Sequence, residues 1–82
     1  MIEPLRILVV DDEEAMRESL AAWLEKEGHQ VRLAADGPQA LAELSAHDVD
    51  LMLVDVKMPG MDGLSVLRQA REQQHDLAVV MI

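Results

Sequence analysis

Apolar positions along this chain follow two rhythms in turn. Leu5-Arg-Ile-Leu-Val-Val10 is a short run, β-branched at Ile7, Val9 and Val10, and it reads as a strand buried on both faces. It closes on Asp11 and Asp12. From Glu14 to Glu27 the period becomes helical: Met16, Leu20, Trp23 and Leu24 fall at i, i+4, i+7 and i+8. That spacing predicts a helix with Met16 in the core and Trp23 covering a sheet. Glu13 stands four residues before Arg17, the favourable order for a helical ion pair. Gly28 is a natural stop just past the helix end.

Gln30-Val-Arg-Leu-Ala34 alternates, with Val31 and Leu33 on one face, as in a less buried, edge-like strand. Asp36-Gly-Pro38 breaks the chain, and Pro38 suits the first position of a helix. Ala40, Leu41 and Leu44 give that helix its apolar face. Leu51-Met-Leu-Val54 is a second buried run, ended by Asp55. Val56 to Met61 reads as a loop shaped by Pro59 and Gly60, and Asp62 can cap a third helix carrying Leu64, Leu67 and Ala70. Leu77 to Ile82 is a third buried run. The order β-α-β-α-β-α-β with short connections implies parallel pairing and an α/β layer fold.

Composition narrows this picture. One Trp and no Phe or Tyr leave the core to Val, Leu, Ile, Met and Ala, against an aromatic-rich β-sandwich. Without cysteine there is neither a disulfide framework nor a thiolate zinc site, which fits a reducing cytosol. The first apolar run is too short to span a membrane and no cleavable signal pattern follows it. Sixteen acids against seven Lys and Arg give a formal charge of −9. Such a chain repels nucleic-acid phosphate and suits a cation or a basic partner surface.

The candidate chemistry sits at strand ends. In an open parallel sheet, ligands bind beyond the carboxyl ends of the strands. Asp11 and Asp12 close the first strand and Asp55 the third. If those strands are neighbours, three carboxylates meet at one rim, an arrangement unfavourable without a cation. Hard carboxylate oxygens there suit Mg²⁺, which retains waters and leaves room for a substrate phosphate. The plainer alternative is that Asp11 caps the following helix, with Glu14 at capping-box spacing. That alternative does not cover both acids of the pair, and Asp55 has no helix start close by. His29, His47 and His75 show no ligand-pair spacing and read as surface residues.

Together, Ile7-Leu-Val-Val-Asp-Asp-Glu-Glu14, Leu51-Met-Leu-Val-Asp55 and Met58-Pro-Gly-Met-Asp-Gly63 resemble the receiver domain of bacterial two-component response regulators. The stretch Asp55 to Leu64 is most similar to receivers of the nitrogen-regulator type. The resemblance implies a flavodoxin-like α/β fold of strand order 2-1-3-4-5, a parallel sheet with helices on both faces. By position it implies that Asp55 is the phosphoacceptor. Asp12 would be a direct Mg²⁺ ligand, Asp11 a second acid holding the ion through water, and the Lys57 backbone carbonyl a third protein ligand. The implied partners are a sensor histidine kinase and an effector outside this chain, in the cytoplasm, with no direct nucleic-acid or membrane contact. The implied module is not an enzyme beyond its own phosphorylation and dephosphorylation.

A receiver continues after its fourth strand with a Ser or Thr, a further helix, a fifth strand ending in Lys, and a last helix. Residues 1–82 therefore correspond to the N-terminal part of such a domain, with four strands and three helices, an incomplete sheet expected to self-associate. Two other function classes compete. One is a Mg²⁺-dependent phosphohydrolase with an Asp nucleophile, although Asp11 is followed two positions on by Glu13 rather than Asp. The other is a non-signalling interaction or scaffold fragment. A flavodoxin-like nucleotide binder fits less well, because the first strand-to-helix turn is acidic and lacks a phosphate cradle.

Overall fold

The computed structural model describes residues 3–55 and 63–82. Its elements run β1 (Arg6–Val10), α1 (Glu14–Lys26), β2 (Gln30–Ala34), α2 (Gly37–Ala46), β3 (Leu51–Val54), α3 (Gly63–Gln73) and β4 (Ala78–Met81). The four strands form one parallel sheet in the order β2-β1-β3-β4, as expected from the resemblance. β1 is therefore central, paired with β2 through Ile7↔Val31 and with β3 through Ile7↔Leu51.

The pleat of β1 divides the core. Leu8 and Val10 face the layer of α2 and α3, where they join Ala40, Leu44, Met52, Val54, Val66, Ala70 and Leu77. Ile7 and Val9 face α1, meeting Leu24 and the partly buried Leu20, Val31, Leu51 and Leu53. Helices thus cover both faces. Leu8 and Met52 have no exposed surface, and each such side chain contributes about 1.5–3 kcal/mol on burial.

Local chemistry sets the element ends. Gly28 has φ +98°, the left-handed conformation that ends α1. The N–H of His29 then donates to the Leu24 carbonyl and that of Gly28 to the Glu25 carbonyl, a Schellman closure. The Asp36 carboxylate accepts from the N–H of Gln39, while Oε1 of Gln39 accepts from the N–H of Ala35, a reciprocal cap. α2 begins at Gly37, so Pro38 takes its second position rather than its first.

Several packing expectations are corrected. Met16 and Trp23 are 46% and 61% exposed. The stripe of α1 that meets the sheet runs through Leu20, Ala21 and Leu24, so Met16 and Trp23 lie to its outer side. Leu64 is likewise exposed, and Val66 joins Ala70 as a fully buried position of α3. Leu33 shares the α1 face of the sheet with Val31 but stays 39% exposed at its edge. β4 is half-buried rather than buried, with Val80 and Ile82 exposed, because it lies at a sheet edge. His29 is not a plain surface residue, since its Nδ1 accepts from the N–H of Leu5 at 3.0 Å.

Candidate metal centre

The carboxyl ends of β1 and β3 lie side by side. Val10 pairs with Val54 in the register, and the N–H of Asp55 donates to the Val10 carbonyl at 3.0 Å. One step beyond that pairing, the chain places Asp11 and Asp12 next to Asp55. A carboxylate oxygen from each can be chosen so that all three lie within 4.8 Å of one another. Asp11 is buried, Asp55 half-buried and Asp12 exposed. The set therefore opens to solvent on the Asp12 side, as a site exchanging a hydrated ion requires.

Asp11 is held from three directions. Its N–H donates to the Ala34 carbonyl of β2 at 3.1 Å. Its Oδ1 accepts from the N–H of Glu13 at 2.9 Å, and its carbonyl accepts from Nη1 of Arg17 at 2.8 Å. The capping alternative for Asp11 is corrected here: the residue at the helix boundary is Glu13, whose side chain makes no capping bond. Arg17 reaches back to the Asp11 carbonyl at 2.8 Å, so the Glu13–Arg17 spacing reflects one helical turn joined through the backbone, from the N–H of Arg17 to the Glu13 carbonyl.

Three hard, anionic oxygen donors converging at a partly open rim fit a small divalent cation such as Mg²⁺. Asp11, Asp12 and Asp55 would hold it. The Lys57 carbonyl, expected as a further ligand, lies outside the described residues, as does the loop with Pro59 and Gly60. Arg17 is the neighbour that sequence reasoning placed in another role. Its one signal was the spacing from the acidic pair, a helical turn into α1. The opposite end of the sheet carries a different constellation, Arg6 with Asp48 and Asp50, far along the strands from the three acids. No helix among the described residues is long and apolar enough to cross a membrane.

Comparison with known proteins agrees with this geometry. The model of the response regulator receiver domain matches residues 7–82. The response regulator MprA of Mycolicibacterium vanbaalenii is 46% identical over 79 residues, covering 96% of this chain and 34% of that protein. The chain thus spans about a third of the length of the curated relatives it matches. Among solved structures, the receiver domain of the hybrid histidine kinase CckA aligns with a TM-score of 0.88 and 40% identity, over 93% of this chain and 72% of that one. The response regulator TrrA from Thermotoga maritima, in complex with Mg(2+)-BeF, aligns with a TM-score of 0.88 and 38% identity, over 94% and 67%. A four-stranded parallel sheet of this order, an acidic trio at its carboxyl rim and a family match over nearly the whole chain lead to one conclusion: the chain belongs to the response regulator receiver domains of two-component systems.

Proposed function

We propose that this chain is a phosphoacceptor module, taking a phosphoryl group from a sensor histidine kinase onto Asp55 and passing the signal to an effector outside residues 1–82. The observation that carries the reading is the convergence of Asp11, Asp12 and Asp55 at one rim. The likeness to TrrA, solved with Mg(2+)-BeF, supports Mg²⁺ as the ion. In the proposed transfer an oxygen of the Asp55 carboxylate attacks phosphorus. The new O–P bond forms as the P–N bond to the donor histidine breaks, and the imidazole leaves with the electron pair. An aspartyl carboxylate is a weak nucleophile facing an anionic donor. Bound Mg²⁺ would supply charge neutralisation across the attacking and non-bridging oxygens. The chain's own part is positioning: the β1–β3 pairing sets Asp55 beside the pair, and Asp11 is locked by its three bonds.

The module works in the cytoplasm in this reading, regulates transcription through its effector, and touches neither nucleic acid nor membrane itself. It catalyses only its own phosphorylation and dephosphorylation, so it is not a turnover enzyme. The test is incubation with acetyl phosphate and Mg²⁺ followed by intact-mass and peptide analysis. Labelling of residues 1–82 is expected to be slow, and any phosphoryl group acquired is expected on Asp55, lost in Asp55→Asn and on chelation of Mg²⁺. Label persisting on another acid in Asp55→Asn overturns the acceptor assignment. Steady hydrolysis of a generic phosphate ester would favour the phosphohydrolase instead.

A further inference from the structure

We propose that Arg17 is a positioning residue for the metal-bearing turn, acting through the backbone of Asp11 and not on the ion or the phosphoryl group. The inference rests on the Mg²⁺ reading of Asp11, Asp12 and Asp55 and goes beyond it. Where β1 ends at Val10, the regular ladder of the sheet gives way, and the carbonyl of the next residue needs a donor from elsewhere. Asp11 is 4% exposed, so leaving that carbonyl unpaired is costly. Nη1 of Arg17 meets it at 2.8 Å. Helical side chains lean toward the amino terminus, which lets a long residue in the first turns of α1 reach back over the β1–α1 connection. The half-buried Arg17 therefore ties helix to turn with a charged bond.

The peptide unit joining Asp11 to Asp12 is planar. Fixing the Asp11 oxygen fixes that plane, and with it the direction in which Asp12 leaves the sheet. Asp12 is exposed, so burial does not hold it in place; the Arg17 clamp holds the peptide before it, and the bond from the Glu13 N–H to Asp11 Oδ1 holds the peptide after it. Asp11 itself is held on its other side by the Glu13 N–H to Oδ1 and by its own N–H to Ala34. Removing the guanidinium frees the one direction those bonds leave open. Arg is suited to the task because its planar fork loses little freedom on bonding, whereas Lys offers a flexible point charge.

Two alternatives make different forecasts. If Arg17 were only a surface cation, its removal would leave Mg²⁺ affinity unchanged. If it acted only through charge, removing a positive group near a cation site would tighten Mg²⁺ binding. A positioning role forecasts the opposite sign. The experiment is a Mg²⁺ titration of wild type, Arg17→Met, Arg17→Lys and Asp12→Ala, followed by amide NMR shifts, with thermal melts of each. At a temperature where all are folded, Arg17→Met should weaken Mg²⁺ binding about tenfold or more, the size typical of groups that orient metal ligands. Arg17→Lys should recover part of the loss. Unchanged or tighter binding in Arg17→Met, with only the melting temperature lowered, overturns the proposal. Should Arg17→Met not fold, Arg17→Ala takes its place, and unchanged or tighter binding there overturns the proposal equally. If Asp12→Ala binds Mg²⁺ like wild type, the Mg²⁺ reading itself fails and this inference with it, an outcome distinct from an effect missing at Arg17 alone.

Discussion

Asp50 stands at the amino-terminal end of the sheet, opposite the acidic trio, and its carboxylate is fully engaged. It accepts from Nε and Nη2 of Arg6 at 3.1 and 3.0 Å and from the Arg6 N–H at 2.8 Å. The Arg6 side-chain bonds, then its backbone bond, lower the carboxyl from its ordinary value of 3.8 to about 2. The same contact raises Arg6, which stays charged throughout. Because the folded state holds Asp50 below its unfolded value, the stability it contributes is complete above about pH 4 and is lost as the pH falls toward 2. Asp50→Ala should therefore melt below wild type at pH 6, and the gap should narrow between pH 4 and pH 2. A gap constant down to pH 2 would show that the ionised pair contributes nothing. The three acids of the candidate site were legible in the sequence for a simple reason: the Asp11–Asp12 pair and Asp55 follow directly on buried β-runs, and parallel strands bring such ends together. The Arg6–Asp50 pair was not: it spans the same 44 residues as Asp11 and Asp55 and rests on the same β1–β3 alignment, but it lies at the amino ends of the strands, where neither residue closes a buried run. The Arg17 bond escaped for a related reason, since a helix spacing that suits an ion pair equally suits a reach back to the preceding turn.

Among the elements, order and type were readable from period alone, whereas faces were not. In α1 the helical spacing singles out the large apolar residues Met16 and Trp23, yet small Ala21 beside Leu24 marks the stripe that lies against the sheet. A helix crossing a sheet closely favours a small residue at the contact, and hydrophobicity patterns weight such residues too lightly. The end of α3 shows a device with no local signal at all. Oε1 of Gln74 accepts from the N–H of Val49 at 3.1 Å, and its Nε2 donates to the carbonyls of Leu44 and His47 at 2.8 and 2.9 Å. One side chain thus serves three backbone groups, one in the last turns of α2 and two in the α2–β3 connection, 25 to 30 residues away. It fastens the entry of β3, the strand that delivers Asp55. With a net value of roughly 1 kcal/mol per bond, Gln74→Ala should destabilise by about 1–3 kcal/mol in urea unfolding. Gln74→Glu should destabilise at least as much, because a carboxylate oxygen would then face the Leu44 and His47 carbonyls with no proton to offer them. An Ala variant as stable as wild type would mean that water replaces the clasp without cost.

At the scale of the whole molecule, the two edges of the sheet differ in how they are guarded. β2 carries Gln30 and Arg32, and Arg32 pairs with Glu43 across the edge. β4 is Ala78-Val-Val-Met81, without charge or proline, and among the described residues it pairs with β3 alone. Val80 and Ile82 are 47% and 49% exposed there. An apolar strand with one unpaired side is a template for another strand, which natural sheets usually blunt with charge, proline or a cover. Trp23 and Met16 add exposed apolar surface on α1. The 82-residue chain should therefore form dimers or larger species, with β4 pairing across molecules as the main contact. The net charge of −9 opposes this at low ionic strength, so association should strengthen as added salt screens the repulsion. Val80→Lys, which places a charge on the edge strand without emptying the core, should shift the population toward monomer, whereas Trp23→Lys should shift it less. Sedimentation velocity across a range of concentrations and salt, with intact mass on the same sample, measures each effect. A wild-type monomer at every concentration would remove the edge from consideration. Equal shifts from the two Lys variants would move the contact from β4 to α1.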